Sequence, residues 1–140
     1  RTRAAFEGQL ALEWNQAVAP DRHGTYPFDL DLARDPLEID LRPTVRAAVA
    51  DAARGCGVAV IAARFHDTLA RATSAVVYRA RRRCGALPVV LSGGCFVNAR
   101  LAESVLAGLD GVDVRLHRDV PPGDGGIALG QAVIASACTA

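Results

Sequence analysis

The sequence contains no lysine and no methionine, so all sixteen of its positively charged residues are arginines. The absence of lysine excludes a Schiff base or another lysine-dependent mechanism within these 140 residues. The formal net charge of +1 offers no basic surface that would attract nucleic acid, so we predict no nucleic-acid partner. Because the first residue is an arginine and not a methionine, we expect the sequence to be a piece of a longer polypeptide.

Long hydrophobic runs are also missing. No stretch approaches the roughly 18–20 apolar residues that span a bilayer, and the N-terminus lacks the regions of a signal peptide. The four cysteines form no CxxC pair, which argues against a disulfide framework or a zinc knuckle. We therefore predict a cytoplasmic protein with no membrane partner. The hydrophobic content of 51% predicts a globular chain, with residues 1–140 forming a single lobe.

Hydrophobic periodicity predicts an α/β fold. Helices are predicted over residues 7–18, 42–55, 58–83, 96–109 and 125–137, and strands over residues 25–32, 36–41, 87–92 and 112–117. The alternation of helix and strand in the second half indicates a mostly parallel sheet flanked by covering helices. The two earlier strands could pair with each other. The uninterrupted apolar run "LPVVLS" is typical of a strand buried on both faces.

The most unusual residues follow the two late strands. Gly93 and Gly94 end the first strand in "LSGGCFVN", and "DVPPGDGG" (residues 119–126) follows the second. Adjacent glycines permit a sharp turn with positive φ and bring bare peptide N–H groups close to a ligand. A tight turn without a ligand is the alternative. Since ligands bind at the carboxyl ends of parallel strands, we expect the two loops to lie side by side around a site.

Several motifs together resemble one family. The pattern SGG-x-F-x-N (residues 92–98), followed by HR-x-VPP-x-DGG-x-ALGQA (residues 117–132), is similar to the end of the HypF-type hydrogenase maturation carbamoyltransferases. The segments "AAFEGQLALEW", "YPFDL" and "VAVIAARFHDTLA" occur in the order found in that family. The enzymes of tRNA threonylcarbamoyl transfer are similar more loosely. The resemblance implies the C-terminal lobe of an actin/sugar-kinase-like (ribonuclease H-like) fold.

The resemblance also implies an activity. HypF-type proteins use carbamoyl phosphate and ATP to form a carbamoyl adenylate, and they carbamoylate the C-terminal cysteine of the partner protein HypE for NiFe hydrogenase maturation. A divalent metal (Mg, Zn or Fe) is expected. The family's first lobe, which carries paired histidines, has no counterpart in this sequence, so we expect the chain alone to be inactive. Two alternatives stay open: a lobe of a tRNA threonylcarbamoyl-transfer enzyme, and a non-catalytic nucleotide-binding or partner-docking lobe.

The resemblance suggests roles for particular residues but no catalytic residue. It implies nucleotide contacts for Ser92, Gly93, Gly94, Asn98, Gly125 and Gly126, and a metal ligand in Asp124. Each polar member of this set has a structural alternative. Ser92 could cap the following helix, Asn98 could face solvent within that helix, and Asp124 could cap the last helix.

Four further residues receive no binding role. His66 lies on the apolar side of a helix, where a packed residue is the commoner interpretation, and Cys95 fits a position for a small apolar side chain. Arg118 follows a strand near the predicted site; it could pair with a phosphate or carbamoyl oxygen, but a surface residue is the commoner interpretation. Glu7 matches a segment of the family but suggests no chemistry.

Overall fold

The computed structural model describes residues 3–18, 21, 24–31, 33–34 and 36–139. Five α-helices are present: α1 (Gln9–Ala17), α2 (Arg42–Ala53), α3 (Val58–Cys84), α4 (Ala99–Ala107) and α5 (Ile127–Thr139). Four short strands are β1 (Asp29–Asp31), β2 (Glu38–Asp40), β3 (Val89–Leu91) and β4 (Val114–Leu116). Two 3₁₀ turns, Gly94–Val97 and Asp124–Gly126, precede α4 and α5. The predicted α/β class is confirmed. Within the described ranges, no helix is both long and apolar enough to cross a membrane.

The strands form two separate pairs, as predicted. β1 and β2 are antiparallel, whereas β3 and β4 are parallel neighbours in the register Val89↔Val114 to Leu91↔Leu116. Helix α4 provides the crossover between the two parallel strands. Leu32, the last residue of the first predicted strand, lies outside the described residues.

Helix α3 is the longest element, with 27 residues. It ends at Cys84 with three arginines in its last turn. Positive charges there interact favourably with the negative end of the helix dipole. Gly85 takes φ of 86° and donates its N–H to the Arg81 carbonyl, as glycine commonly does after the end of a helix. Both α1 and α2 pack against α3.

The core lies where α3 and α4 meet the parallel strands. Its buried members are Ala70, Leu91, Leu101, Val105 and Leu109. Val105 and Leu109 are almost fully buried, and burial of one such side chain contributes about 1.5–3 kcal/mol to the free energy of unfolding. The core therefore anchors both ends of α4 beside the strands.

Two predictions about burial are wrong. β3 is not buried on both faces, because Leu91 packs into the core while Val90, on the opposite face, is 63% exposed. Successive residues of a strand point to opposite faces, and the core lies on only one of them. Helix α5 does not cover the sheet either, since each of its described residues is exposed. An apolar composition thus does not itself identify a packed face.

A buried polar cluster joins α2, α3 and the segment before β1. Asp51 is only 2% exposed, and its carboxylate accepts hydrogen bonds from Tyr26 (2.7 Å), Arg64 (2.6 Å) and Arg54. The hydrogen bond from Tyr26, supported by those from the two arginines, lowers the pKa of Asp51. Burial, together with the neighbouring carboxylate, raises the pKa of Tyr26 to about 12. The folded state therefore requires a charged Asp51 and a neutral Tyr26.

We predict that Asp51→Asn lowers the Tm at pH 7 by roughly 5–10 °C, because the hydrogen bonds from Tyr26, Arg54 and Arg64 lose their charged acceptor. Since the folded pKa lies below the unfolded one, the stabilisation by Asp51 is present above about pH 4 and is lost as the pH falls through the folded value. Thermal unfolding from pH 7 to pH 2 should thus show a shallower acid decline in the variant.

The matched control is Asp113→Asn, which breaks an exposed ion pair with Arg115. Such a pair contributes little, so the Tm should change by less than about 2 °C. Equal acid slopes for the wild type and Asp51→Asn would contradict the role assigned to this cluster.

Candidate functional site

Two loops leave the same edge of the parallel sheet and are joined there by their backbones. The first loop (residues 92–98) follows β3, and the second loop (residues 117–126) follows β4. Gly93 donates its N–H to the carbonyl of Pro122 in the second loop at 2.7 Å. The prediction that the loops lie side by side is confirmed, because parallel strands bring both of their carboxyl ends to one edge.

A side-chain contact makes a second link between the loops. The Ser92 hydroxyl lies 3.0 Å from Nε2 of His117 and 3.5 Å from the Pro122 carbonyl. Ser92 therefore does not cap α4, whose cap is a different residue. The sequence offered no sign of this contact, since His117 and Ser92 are 25 positions apart.

The two glycines of the first loop have different tasks. Gly93 has φ of 101° and ψ of 162°, a region that is essentially restricted to glycine, and its N–H is already used between the loops. Gly94 has no positive φ, and a Cβ added there would meet nothing within 4 Å. The N–H groups of Gly94 and Cys95 have no acceptor in the described part of the chain, as expected at the start of a helical turn. Thus Gly94 and Cys95, and not Gly93, can offer N–H groups to an anion.

The glycines of the second loop have a packing role. A Cβ on Gly126 would lie 2.7 Å from the Pro121 carbonyl oxygen and 2.9 Å from Cγ1 of Val120, so no larger residue fits. A Cβ on Gly125 would lie 3.3 Å from Cγ of Pro121, which is also tight. Both glycines form the 3₁₀ turn before α5 and are not part of the helix, contrary to the prediction. The lack of space for a side chain is therefore sufficient to explain why residue 126 is a glycine.

Asp124 is exposed in the cleft between the loops. It is the first residue of the 3₁₀ turn, and its side chain caps neither that turn nor α5. No hydrogen bond or ion pair involves its carboxylate within the described part of the chain, so the capping alternative is wrong. The cleft has a volume of about 340 Å³. Its walls include Ser92, Gly94, His117, Gly123, Asp124 and Gly126.

Asn98 is the N-cap of α4 and not a solvent-facing residue within that helix, so the structural alternative is wrong. Helix α4 begins at Ala99 and not at residue 96, because the 3₁₀ turn precedes it. Oδ1 of Asn98 accepts the Leu101 N–H at 3.0 Å, and Nδ2 of Asn98 lies 2.8 Å from Nε2 of His66. The His66 ring is buried and its Nδ1 lies 2.7 Å from the Ala62 carbonyl oxygen. His66 is packed, as predicted, but it also holds Asn98.

A second, apolar cleft of about 370 Å³ adjoins the first loop on its other side. Leu12, Trp14, Phe65, Leu69 and Leu101 line it, together with Gly94, Asn98 and His66. The rings of Trp14 and Phe65 meet edge to face, with their centroids 5.1 Å apart. Gly94 lines both clefts, so the two clefts lie next to each other. The sequence patterns did not indicate a cleft at these aromatic residues.

Other residues considered in the sequence lie apart from this contact network. Arg118 is exposed, as interpreted, and Glu7 precedes α1 and is exposed. Cys95 is a free, exposed cysteine beside the apolar cleft. Within the described ranges, no group of three or more His, Cys, Asp or Glu side chains could hold a metal ion.

Comparison with known families identifies the chain. Residues 1–131 match the family described as the second subdomain of the Kae1-like carbamoyltransferase domain. The chain belongs to this family. Its resemblance to HypF-type carbamoyltransferases, which rests on the glycine and DGG motifs, is therefore confirmed.

Curated proteins with similar sequences are also HypF carbamoyltransferases. The chain is 39% identical over 132 residues to a HypF carbamoyltransferase homologue of Cupriavidus necator, with 91% of this chain and 32% of the relative covered. It is 30% identical over 129 residues to HypF of a Synechocystis species, with 90% of this chain and 16% of the relative covered. The chain thus spans between about one sixth and one third of the length of these two relatives.

Solved structures also match. A crystal structure of full-length HypF in a phosphate- and nucleotide-bound form superposes with a TM-score of 0.88 and 36% identity, covering 96% of this chain and 18% of that one. HypF of T. kodakarensis superposes with a TM-score of 0.73 at 24% identity, over 93% of this chain and 17% of that one, and shares the fold.

The different backbone conformations of Gly93 and Gly94 can be tested by measuring stability. We predict that Gly93→Ala lowers stability by roughly 1–3 kcal/mol, because alanine is strained at this backbone conformation. The matched variant Gly94→Ala should leave the Tm unchanged within about 2 °C, since its Cβ meets open space and its φ is not positive. Thermal unfolding of both variants makes the comparison. Equal losses of stability would show that the loop does not have this conformation.

Proposed function

We propose that this chain is the second lobe of a HypF-type carbamoyltransferase, and that its two joined loops bind a nucleotide during carbamoyl transfer. The observation that carries the proposal is the pair of clefts that meet at Gly94. The polar cleft is lined by Gly94, whose N–H is available to a phosphate oxygen, and by Ser92 and His117. The Cys95 N–H, also available, follows Gly94 directly in the chain. The apolar cleft, with the rings of Trp14 and Phe65, suits the flat base of ATP or of a carbamoyl adenylate.

A metal ion would complete the phosphate site. The chain supplies one fitting ligand, the Asp124 carboxylate, which is a hard oxygen donor without another partner in the described residues. The remaining ligands must come from phosphate oxygens, water or another part of the enzyme. When bound, a divalent cation offsets negative charge on the phosphates.

The reaction that we propose is the one implied by the resemblance to HypF-type carbamoyltransferases. Carbamoyl phosphate and ATP supply the carbamoyl adenylate, and the acceptor is the C-terminal cysteine of the partner protein HypE. In the transfer, a bond forms between the cysteine sulfur and the carbamoyl carbon, the carbon–oxygen bond to AMP breaks, and the thiol loses its proton. Within the described residues, the walls of this cleft include a single carboxylate, that of Asp124, and no assigned nucleophile. We therefore propose that the chain alone does not turn over.

Nucleotide binding tests the site directly. In the full-length carbamoyltransferase, Gly94→Val should weaken the binding of ATP by at least roughly tenfold, because the branched side chain fills the space between the two clefts. Isothermal calorimetry with ATP provides the measurement. Since a Cβ at this position meets nothing in the structure, the Tm should stay close to that of the wild type. Unchanged ATP affinity in a folded variant would refute the proposed site.

Turnover tests the role of Asp124. Asp124→Asn keeps the size of the side chain but removes its charge, so carbamoyl transfer to HypE should fall by roughly a hundredfold or more while the Tm is unchanged. Asp119→Asn is the matched control, because it removes the same charge from the same loop outside the cleft, and its turnover should remain near normal. Near-normal turnover of Asp124→Asn would refute the metal-ligand role.

A further inference from the structure

A chain of hydrogen bonds runs from the middle of α3 to the start of α4. Nδ1 of His66 lies 2.7 Å from the Ala62 carbonyl oxygen, and Nε2 lies 2.8 Å from Nδ2 of Asn98. Oδ1 of Asn98 accepts the N–H of Leu101 at 3.0 Å. The imidazole is only 5% exposed, so water does not compete for its nitrogen atoms.

The chemistry of the two ends fixes the direction of every bond between them. A carbonyl oxygen can only accept, so Nδ1 of His66 carries the hydrogen and donates it to Ala62. In the neutral imidazole Nε2 is then a bare acceptor, which matches the amide N–H of Asn98. The Leu101 N–H can only donate, so Oδ1 of Asn98 must face it. A flipped Asn98 amide would bring Nδ2 against the Leu101 N–H and Oδ1 against Nε2, and would lose both bonds.

The remaining valences of Asn98 lie at the site. One N–H of Nδ2 and one lone pair of Oδ1 are left over after the two bonds, and Asn98 lines the apolar cleft next to Gly94. We propose that His66 is a positioning residue: it fixes the orientation of the Asn98 amide so that the spare donor and acceptor meet a polar group of the bound nucleotide. The inference rests on the nucleotide site proposed above. Packing alone would account for a buried histidine at this position. The proposal adds a role for His66 in the affinity for the nucleotide.

The adjacent residue strengthens the same connection. Asp67 forms an ion pair with Arg100 of α4 at 3.2 Å, and both side chains are only 17% exposed. His66 and Asp67, which are consecutive in α3, thus contact Asn98 and Arg100 at the start of α4. The ion pair secures the helix itself, whereas of these two α3 residues His66 is the one that contacts the Asn98 amide. Loss of His66 should therefore leave the amide held by the Leu101 N–H alone, without releasing α4.

A double-mutant cycle on ATP affinity in the full-length carbamoyltransferase tests the inference. His66→Leu removes the acceptor and keeps an apolar side chain, and it should weaken ATP binding roughly tenfold. Asn98→Ser retains a helix N-cap but cannot make the bond to His66. In that background His66→Leu should have no further effect on affinity, because His66 acts through Asn98. A purely structural histidine would weaken binding equally in both backgrounds, and that result would overturn the inference.

A rescue variant guards against a failure of folding. His66→Gln keeps a side-chain oxygen that can accept the Asn98 N–H, and its ATP affinity should lie within threefold of the wild type. A folded Gln variant that binds ATP tenfold more weakly would overturn the inference, and so would wild-type affinity in His66→Leu. If wild-type enzyme binds no ATP, the nucleotide site fails and this inference fails with it. Wild-type binding without an effect of His66 refutes the inference alone.

Discussion

The hydrogen bond from the Gly93 N–H to the Pro122 carbonyl closes the candidate site, and the arrangement around it depends on that contact. The bond is possible because β3 and β4 are parallel neighbours whose last residues, Leu91 and Leu116, are in register. The parallel pairing requires a crossover, and α4 supplies it by burying Leu101 and Val105 near the strands, with Leu109 buried just after the helix ends. Packing of one helix thus determines where two distant loops meet.

Helix α3 acts as the scaffold for the polar contacts of the lobe. Arg64 joins the buried carboxylate of Asp51, His66 holds Asn98, and Asp67 pairs with Arg100. These three partners come from α2 and from the start of α4. Because a helix places consecutive side chains in different directions, one short stretch of α3 can secure both neighbours. The same stretch contributes Phe65 to the apolar cleft.

The position of the candidate site could be predicted from the sequence, but the separate roles of its residues could not. The strand, the glycine pair and the DGG loop indicated the edge of the sheet at which the two loops meet, since parallel strands bring their carboxyl ends together. The roles of Gly93 and Gly94 were not separable, because both lack a side chain and only the backbone geometry distinguishes them. Asn98 was placed inside a helix for a similar reason, since periodicity does not reveal a 3₁₀ turn before the first regular turn. The contact of His117 with Ser92 had no signal at all.

The order of the helices and strands, the pairing of neighbouring strands and the family could be predicted from the sequence, because periodicity, glycine positions and motif spacing are local properties of the chain. The 3₁₀ turns before α4 and α5 could not. Only the tertiary structure decided which side chains are covered and which polar groups meet. The exposed face of Val90, the exposed helix α5 and the bond between His66 and Asn98 all depend on residues that are far apart in sequence. The hydrophobic effect rewards burial of apolar area without specifying a partner, so the choice of partner is made by the packed fold as a whole.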